Sequence, residues 1–318
     1  MKSCPIRSRT ILRPCSRSLV ALGMLLTVAA TQPSPPRPQG DKNAIIVQGE
    51  RLPEEVVRER ASQFVRTTGV ASGTIPAARW IDPVCVQVQG LEEVGKRAAE
   101  AKMRSVAAAA GIEVAPKDCR PNIVVNFTQD GAGLAREIHR LDSRRLQPFS
   151  ERARDTVLTG AAPIRWMYST EVRGRNGQQL IEGGGAGQTM PGTHDGSGAG
   201  SSLGGDSTMM HYESSIVSTL TNRVLTSAIV IIDTDDAMGR RLDALASYAA
   251  LVAFAEIRNP DATPDGSILG MFATSPPPRD LTAQDTAFLR ALYRMPLDRE
   301  AMRHRGQLVA GITRALAQ

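Results

Sequence analysis

The side chains able to do chemistry in this chain are few and scattered. Four histidines, His139, His194, His211 and His304, stand far apart in sequence. A zinc site needs imidazoles or thiolates at helical or turn spacing, so each of the four reads as a solvated imidazole rather than a ligand. Gly200-Ser201-Ser202-Leu203-Gly204 matches the letters of a serine-hydrolase elbow. That elbow requires a strand before the serine and a helix after it, and here both flanks are glycine-rich. Gly183-Gly184-Gly185 likewise lacks the Gly-Lys-Ser/Thr ending, or the strand-to-helix setting, of a phosphate cradle. Asp233, Asp235 and Asp236 form an oxygen-rich set that suits a hard cation. The glycine and terminal glutamate of a calcium loop are missing, however, and aspartates ahead of a helix more often cap it.

The cysteines must be read together with the amino-terminal segment. Lys2, Arg7, Arg9, Arg13 and Arg17 make a basic head without a carboxylate, and Ser18 to Ala29 is a largely apolar run ending in the small residues Val28-Ala29-Ala30. This is the pattern of a secretory signal peptide over residues 1–30, too short for a membrane-spanning helix, with Thr31 as the first mature residue. Cys4 and Cys15 fall inside that segment and neither follows the apolar run, so no lipid-anchored cysteine is expected. Cys85 and Cys119 remain, and two thiols in an oxidising compartment predict one disulfide. A redox pair would be two residues apart, and a zinc site would want further ligands nearby.

The same segment carries the excess charge. The whole chain has 38 Lys and Arg against 32 Asp and Glu, a net +6. Without residues 1–30 the balance is 33 against 32. A near-neutral chain with six Phe, two Trp and four Tyr offers neither the basic groove nor the stacking platforms of a nucleic-acid binder. No transmembrane segment remains after cleavage, and the expected location is periplasmic or secreted.

The elements that must position any site follow from pattern. Residues 31–50 hold the proline-rich stretch Gln32 to Gly40 and read as an extended tether. Residues 51–318 read as one α+β domain. Pro53, Glu54 and Glu55 open a helix that Gly69 ends, with Val56, Val57, Phe64 and Val65 as its apolar contacts. Val84, Val86 and Val88 alternate with Cys85, Gln87 and Gln89 as a strand up to Gly90. Leu91 to Ala110 is a helix stopped at Gly111, and Pro121 to Phe127 a second strand. Arg136 to Arg145 mixes both charge signs and reads as a solvated helix face. The glycine-dominated stretch from Gly174 to Asp206 predicts a flexible insertion over about residues 174–208. Ala228 to Ile232, apolar on both faces, predicts a central strand, and a helix from Gly239 to Ile257 follows it, stopped by Asn259-Pro260. Thr282 and Asp285 have capping-box spacing and start a helix.

Pro264-Asp265-Gly266-Ser267-Ile268-Leu269, then Leu281-Thr282-Ala283-Gln284-Asp285, then Phe288-Leu289-Arg290-Ala291-Leu292-Tyr293 form an order that resembles the tail of metzincin-type zinc peptidases. In that family a long zinc-binding helix leads to a Ser-Ile-Met turn and then to a Leu-Thr-x-x-Asp helix ending in Leu-Tyr. The similarity extends over Trp80 to Tyr293, with recognisable motifs confined to its last part. Trp80-x-x-Pro83-x-Cys85 is also similar to the start of a set of exported bacterial proteins with no assigned activity. The resemblance implies a single mixed-sheet, zincin-like domain with long helices. It also exposes a departure. Where the family has His-Glu-x-x-His-x-x-Gly-x-x-His, this chain has Ser247-Tyr248, then Leu251, Phe254 and Ile257, and Leu269 replaces the turn methionine. Both the metal ligands and the general base are replaced.

The expected function is therefore that of an exported, non-enzymatic protein on a pseudo-metallopeptidase scaffold. It would need no cofactor and would bind a peptide or envelope component, with Ser247 and Tyr248 as candidate cleft contacts for hydrogen bonding and stacking. For Tyr248 the competing expectation is an aromatic at the edge of the core. The alternatives are an active hydrolase with unconventional site residues and an envelope structural factor without a ligand.

Overall fold

The computed structural model describes residues 52–174, 218, 219 and 221–317. Chain contacts divide Met1–Gly49 from Glu50–Gln318, and all that follows concerns the second unit. The expected signal peptide, the tether and the Gly200 to Gly204 stretch lie outside the described residues. So does the insertion beyond Gly174.

The sheet grows from its most apolar segment. Strand β4 (Thr221–Asp233) carries Val230, Ile231 and Ile232, all fully buried, as a strand with structure on both faces requires. β1 (Val86–Gln89) pairs in parallel with β2 (Ile123–Thr128), β2 in parallel with β4, and β3 (Ile164–Gly174) antiparallel to β4, giving the order β1-β2-β4-β3. Gly90 ends β1 at φ +80°, where an added Cβ would stand 1.9 Å from the Phe127 carbonyl oxygen. Only glycine lets the chain leave the sheet so close to β2. The predicted alternation of β1 holds, since Val86 and Val88 are buried and Gln87 and Gln89 exposed. Cys85 is buried too. It is bonded to Cys119 with the Cα atoms 6.0 Å apart, which ties the start of β1 to the segment before β2.

Helices α1 (Glu54–Thr68) and α2 (Glu93–Ala110) end at Gly69 and Gly111, both left-handed, as their sequences predict. α2 packs on β1 and along α5 (Leu242–Phe254), while α3 (Gly131–Leu141) and α4 (Glu151–Thr159) form a separate pair, α3 resting on β3 and β4. α6 (Ala283–Arg294) and α7 (Ala301–Leu316) pack together, and α7 also packs on α1. Phe64 of α1 meets Phe288 of α6 with ring centroids 5.0 Å apart. Every residue of α5 from Ala244 to Phe254 is buried, the condition of a helix apolar all round.

Several expectations need correction. Val56 is 39% exposed and is no core contact. α5 is shorter than the predicted 239–257. Gly239 takes φ +80° in a turn, Arg241 flanks the first helical residue, and Ala255 is already extended. The aspartates do not cap α5. Asp233 accepts hydrogen bonds from Asp235 N (3.2 Å) and Asp236 N (3.4 Å) in its own turn, and from Gly131 N (2.9 Å) at the start of α3. A carboxylate at the end of a central strand thus caps the helix that its neighbouring strand leads into.

Candidate functional site around helix α5

Helix α5 ends inside the core, where no water can satisfy its last carbonyls. Protein donors do so instead. Ala255 N bonds to Leu251 O at 3.2 Å. Trp80 Nε1 donates to Ala253 O (2.9 Å), and the Tyr293 hydroxyl donates to Phe254 O (2.8 Å) while accepting from Trp80 N (3.4 Å). The Tyr168 hydroxyl, with one hydrogen to give, stands 2.7 Å from Val252 O and 2.9 Å from Ala255 O, and accepts from Ile257 N at 3.1 Å. Trp166 Nε1 closes the set on Ile257 O at 2.7 Å. Burial holds the Tyr168 and Tyr293 hydroxyls well above their ordinary pKa, so they remain donors at any physiological pH.

Beyond α5, the Ser267-Ile268-Leu269 turn is fastened to α6. Asp285 accepts from Ser267 Oγ (2.6 Å), Ile268 N (2.8 Å), Thr282 N (3.0 Å) and Thr282 Oγ1 (2.9 Å). The predicted capping box at Thr282 is present. Burial pushes the Asp285 carboxyl up, against the pull of these donors. Asp285, Ser267 and Tyr293, three residues on which the family resemblance rests, are therefore braces between α5, the turn and α6.

The positions that would hold metal chemistry are filled differently. Ser247 is fully buried and its Oγ donates to Asp280 Oδ1 at 2.7 Å. Lys102 Nζ lies 2.6 Å from Asp280 Oδ2, and Leu281 N donates to Oδ1 at 2.7 Å. Partial burial raises the Asp280 carboxyl, but these three donors outweigh it and hold the pKa below its ordinary value. A small cavity of about 170 Å³ opens beside Lys102, Asp280 and Thr286. Tyr248, 5% exposed, packs between Trp166 and Phe272, with ring centroids 6.2 Å away on each side. Burial raises its hydroxyl pKa. Leu251, Phe254 and Ile257 are fully buried hydrocarbon.

Chemically this arrangement is poor in reactive groups. The donors offered at 247, 251 and 257 are one hydroxyl and two aliphatic side chains, which bind no zinc. Among the described residues no group of three or more His, Cys, Asp and Glu is arranged to hold a metal. Ser247 faces a carboxylate of lowered basicity and is sealed from solvent, the opposite of an activated nucleophile. Comparison with protein-family models, curated proteins and solved structures returned no match. Among the described residues no helix is long and apolar enough to cross a membrane.

Of the histidines expected to be solvated, His304 is not. It is fully buried, with Nδ1 accepting from Ala77 N (3.1 Å) and Nε2 set 3.0 Å from Pro296 O, which fixes the neutral Nε2–H tautomer. Burial, which leads the causes, lowers its pKa. His139 is half-buried, and its Nδ1 has no hydrogen-bond partner. His194 and His211 lie outside the described residues.

Two features escape sequence reasoning. One is a buried ionic triad. Arg223 grips Glu256 with both terminal nitrogens, and Arg258 Nε lies 3.3 Å from the same carboxylate. Two charges directly behind the most apolar helix are the signal that could have revealed it, because charges in such a place must be paired. The other is strand β3, last in the order of the described strands. Its residues Ile164 to Tyr168 are buried, whereas Ser169 to Arg173, which span a bulge between Ser169 and Thr170, are partly exposed and Val172 is 49% exposed.

Proposed function

We propose that this chain is an exported, non-catalytic peptide-binding protein built on a metzincin-like scaffold. The observation that carries the reading is the split between brace and site. The residues that fasten helix, turn and following helix (Ser267, Asp285 and Tyr293) make their bonds in full, while the three ligand positions hold Ser247, Leu251 and Ile257. A scaffold kept without its reactive groups suits binding. Ser247 and Tyr248 are covered by the segment carrying Phe272 and Asp280, so in this reading the peptide lies against β3 at Val172, the strand's exposed hydrophobic residue.

Export is supported by the disulfide and by the amino-terminal pattern. The test has two parts. Protein purified without chelator is expected to hold less than stoichiometric zinc and to leave a peptide library uncleaved; stoichiometric zinc with cleavage overturns the non-catalytic reading. In hydrogen exchange, a peptide selected from that library is expected to slow the amides of Val172 and Arg173. Protection elsewhere, with β3 unchanged, removes the β3 mode.

A further inference from the structure

The ionic triad behind α5 leaves an imbalance. Arg223 and Arg258 share the single carboxylate of Glu256, which is fully buried, and Arg258 has only 6% of its side chain exposed. Two guanidinium groups against one carboxylate leave the triad with an excess positive charge where solvent screening is weak. Arg258 Nη2 is engaged with the Val70, Ile75 and Pro76 carbonyls at 2.9 to 3.4 Å. Its Nε, although near Glu256, is not aligned for a hydrogen bond, and Nη1 donates to no described residue.

Arg258 lines a cavity of about 770 Å³ between the end of α1, the 72–75 loop and the start of α4, within the roughly 300–1,000 Å³ of small-molecule sites. Arg152 and Arg66 also line it. Arg66 is paired with Glu59 at 3.0 Å. Arg152 is exposed, and no carboxylate among the described residues pairs with it. The one acid in the lining, Asp261, accepts from Thr156 Oγ1 at 3.3 Å and sets one negative charge against the three guanidinium groups of Arg66, Arg152 and Arg258. Apolar surface is present as well, from half-buried Pro148 and from Ile75, which is 41% exposed.

We infer that this cavity is a binding site for a small organic anion, its carboxylate or phosphate head held by Arg258 and Arg152 and its apolar body lying on Ile75 and Pro148. Guanidinium groups suit either oxyanion, since they donate in a fixed planar fork. The inference goes beyond the peptide reading and does not depend on it, because the residues concerned belong neither to β3 nor to the Ser247 surroundings.

Calorimetric titration of the full chain with benzoate, phenyl phosphate and neutral benzamide tests it. The expected result is saturable one-to-one binding of benzoate, phenyl phosphate or both, with no binding of benzamide; which anion binds identifies the preferred head group. Arg152→Glu, an exposed change that leaves the fold intact by circular dichroism, is expected to weaken the anion by about tenfold or more. Ile75→Glu, also exposed, is expected to weaken it similarly. The inference is overturned if neither anion binds up to about 10 mM, if benzamide binds equally well, or if both variants keep the original affinity.

Discussion

Tyr293 gives its hydroxyl hydrogen to the carbonyl of Phe254, 2.8 Å away, and so closes the end of the helix on which the candidate site is built. Among the described residues no backbone donor reaches that carbonyl. Tyr293→Phe keeps the ring and strands a buried acceptor, for an expected loss of about 1–3 kcal/mol. Tyr168→Phe should cost more, because Tyr168 is fully buried where Tyr293 is half-buried, and the bond its hydroxyl receives from Ile257 N (3.1 Å) is shorter than the one Tyr293 receives from Trp80 N (3.4 Å). Urea unfolding checks both. The midpoint should fall with an unchanged slope, and a Tyr168→Phe midpoint at or above that of Tyr293→Phe would contradict the ranking.

His304 makes the fold sensitive to mild acid. Its pKa is lowered in the folded chain, first by burial, from an unfolded value of 6.5. The unfolded state therefore binds the proton more readily, and stability rises with pH across this window. The contribution is complete above about pH 6.5 and drains away as pH falls toward the folded value. Thermal melts between pH 7.5 and 5 should show a falling midpoint. His304→Gln, which cannot take up that proton, should flatten the slope while lowering the midpoint at pH 7.5.

What the sequence makes legible is what depends on neighbours in the chain. The stops at Gly69 and Gly111, the alternation of β1 and the capping box at Thr282 all follow from a few adjacent residues. The disulfide follows from elimination. β3 is illegible because Ile164 to Tyr168 is buried on both faces, with a guanidinium, Arg165, among the buried residues, so no period of two appears. α7 is masked by Gly306, Gly311 and a polar exposed face. The aromatic caps of α5 are set by partners far away: Trp80 and Ala253 are 173 residues apart. The motif at Leu292-Tyr293 is recognisable as a pattern, but its purpose, one hydrogen bond to Phe254, is visible only in space.

The Cys85–Cys119 bond closes a separation of 34 residues that includes β1 and α2. In the chain-entropy picture its loss should cost about 3–4 kcal/mol. The double variant Cys85→Ala with Cys119→Ala should therefore unfold at markedly lower urea than the oxidised protein, and adding reductant should leave its curve unmoved. A native protein whose curve does not shift under a reductant that fully opens the bond would show that the link does not restrain the unfolded chain.

Ser247 supplies the sharpest distinction between a latent nucleophile and a structural hydroxyl. Its Oγ donates to Asp280, which also receives Lys102 and Leu281 N, and the carboxyl is held below its ordinary 3.8 by these donors against the opposing effect of burial. A depressed carboxyl contributes stability above its unfolded pKa and loses it as pH falls through the folded value. With the Asp280 side chain 55% exposed, screening keeps that contribution below about 1 kcal/mol. The readout is thus the titration itself. In carbon-detected NMR, Ser247→Ala and Lys102→Met should each raise the Asp280 midpoint toward 3.8, and the two changes together should raise it further. Were Ser247 a nucleophile awaiting activation, a fluorophosphonate probe would label it in the native protein. Burial and the bond to Asp280 predict no labelling at Ser247 until the chain is unfolded, and labelling of the folded protein there would reverse the assignment.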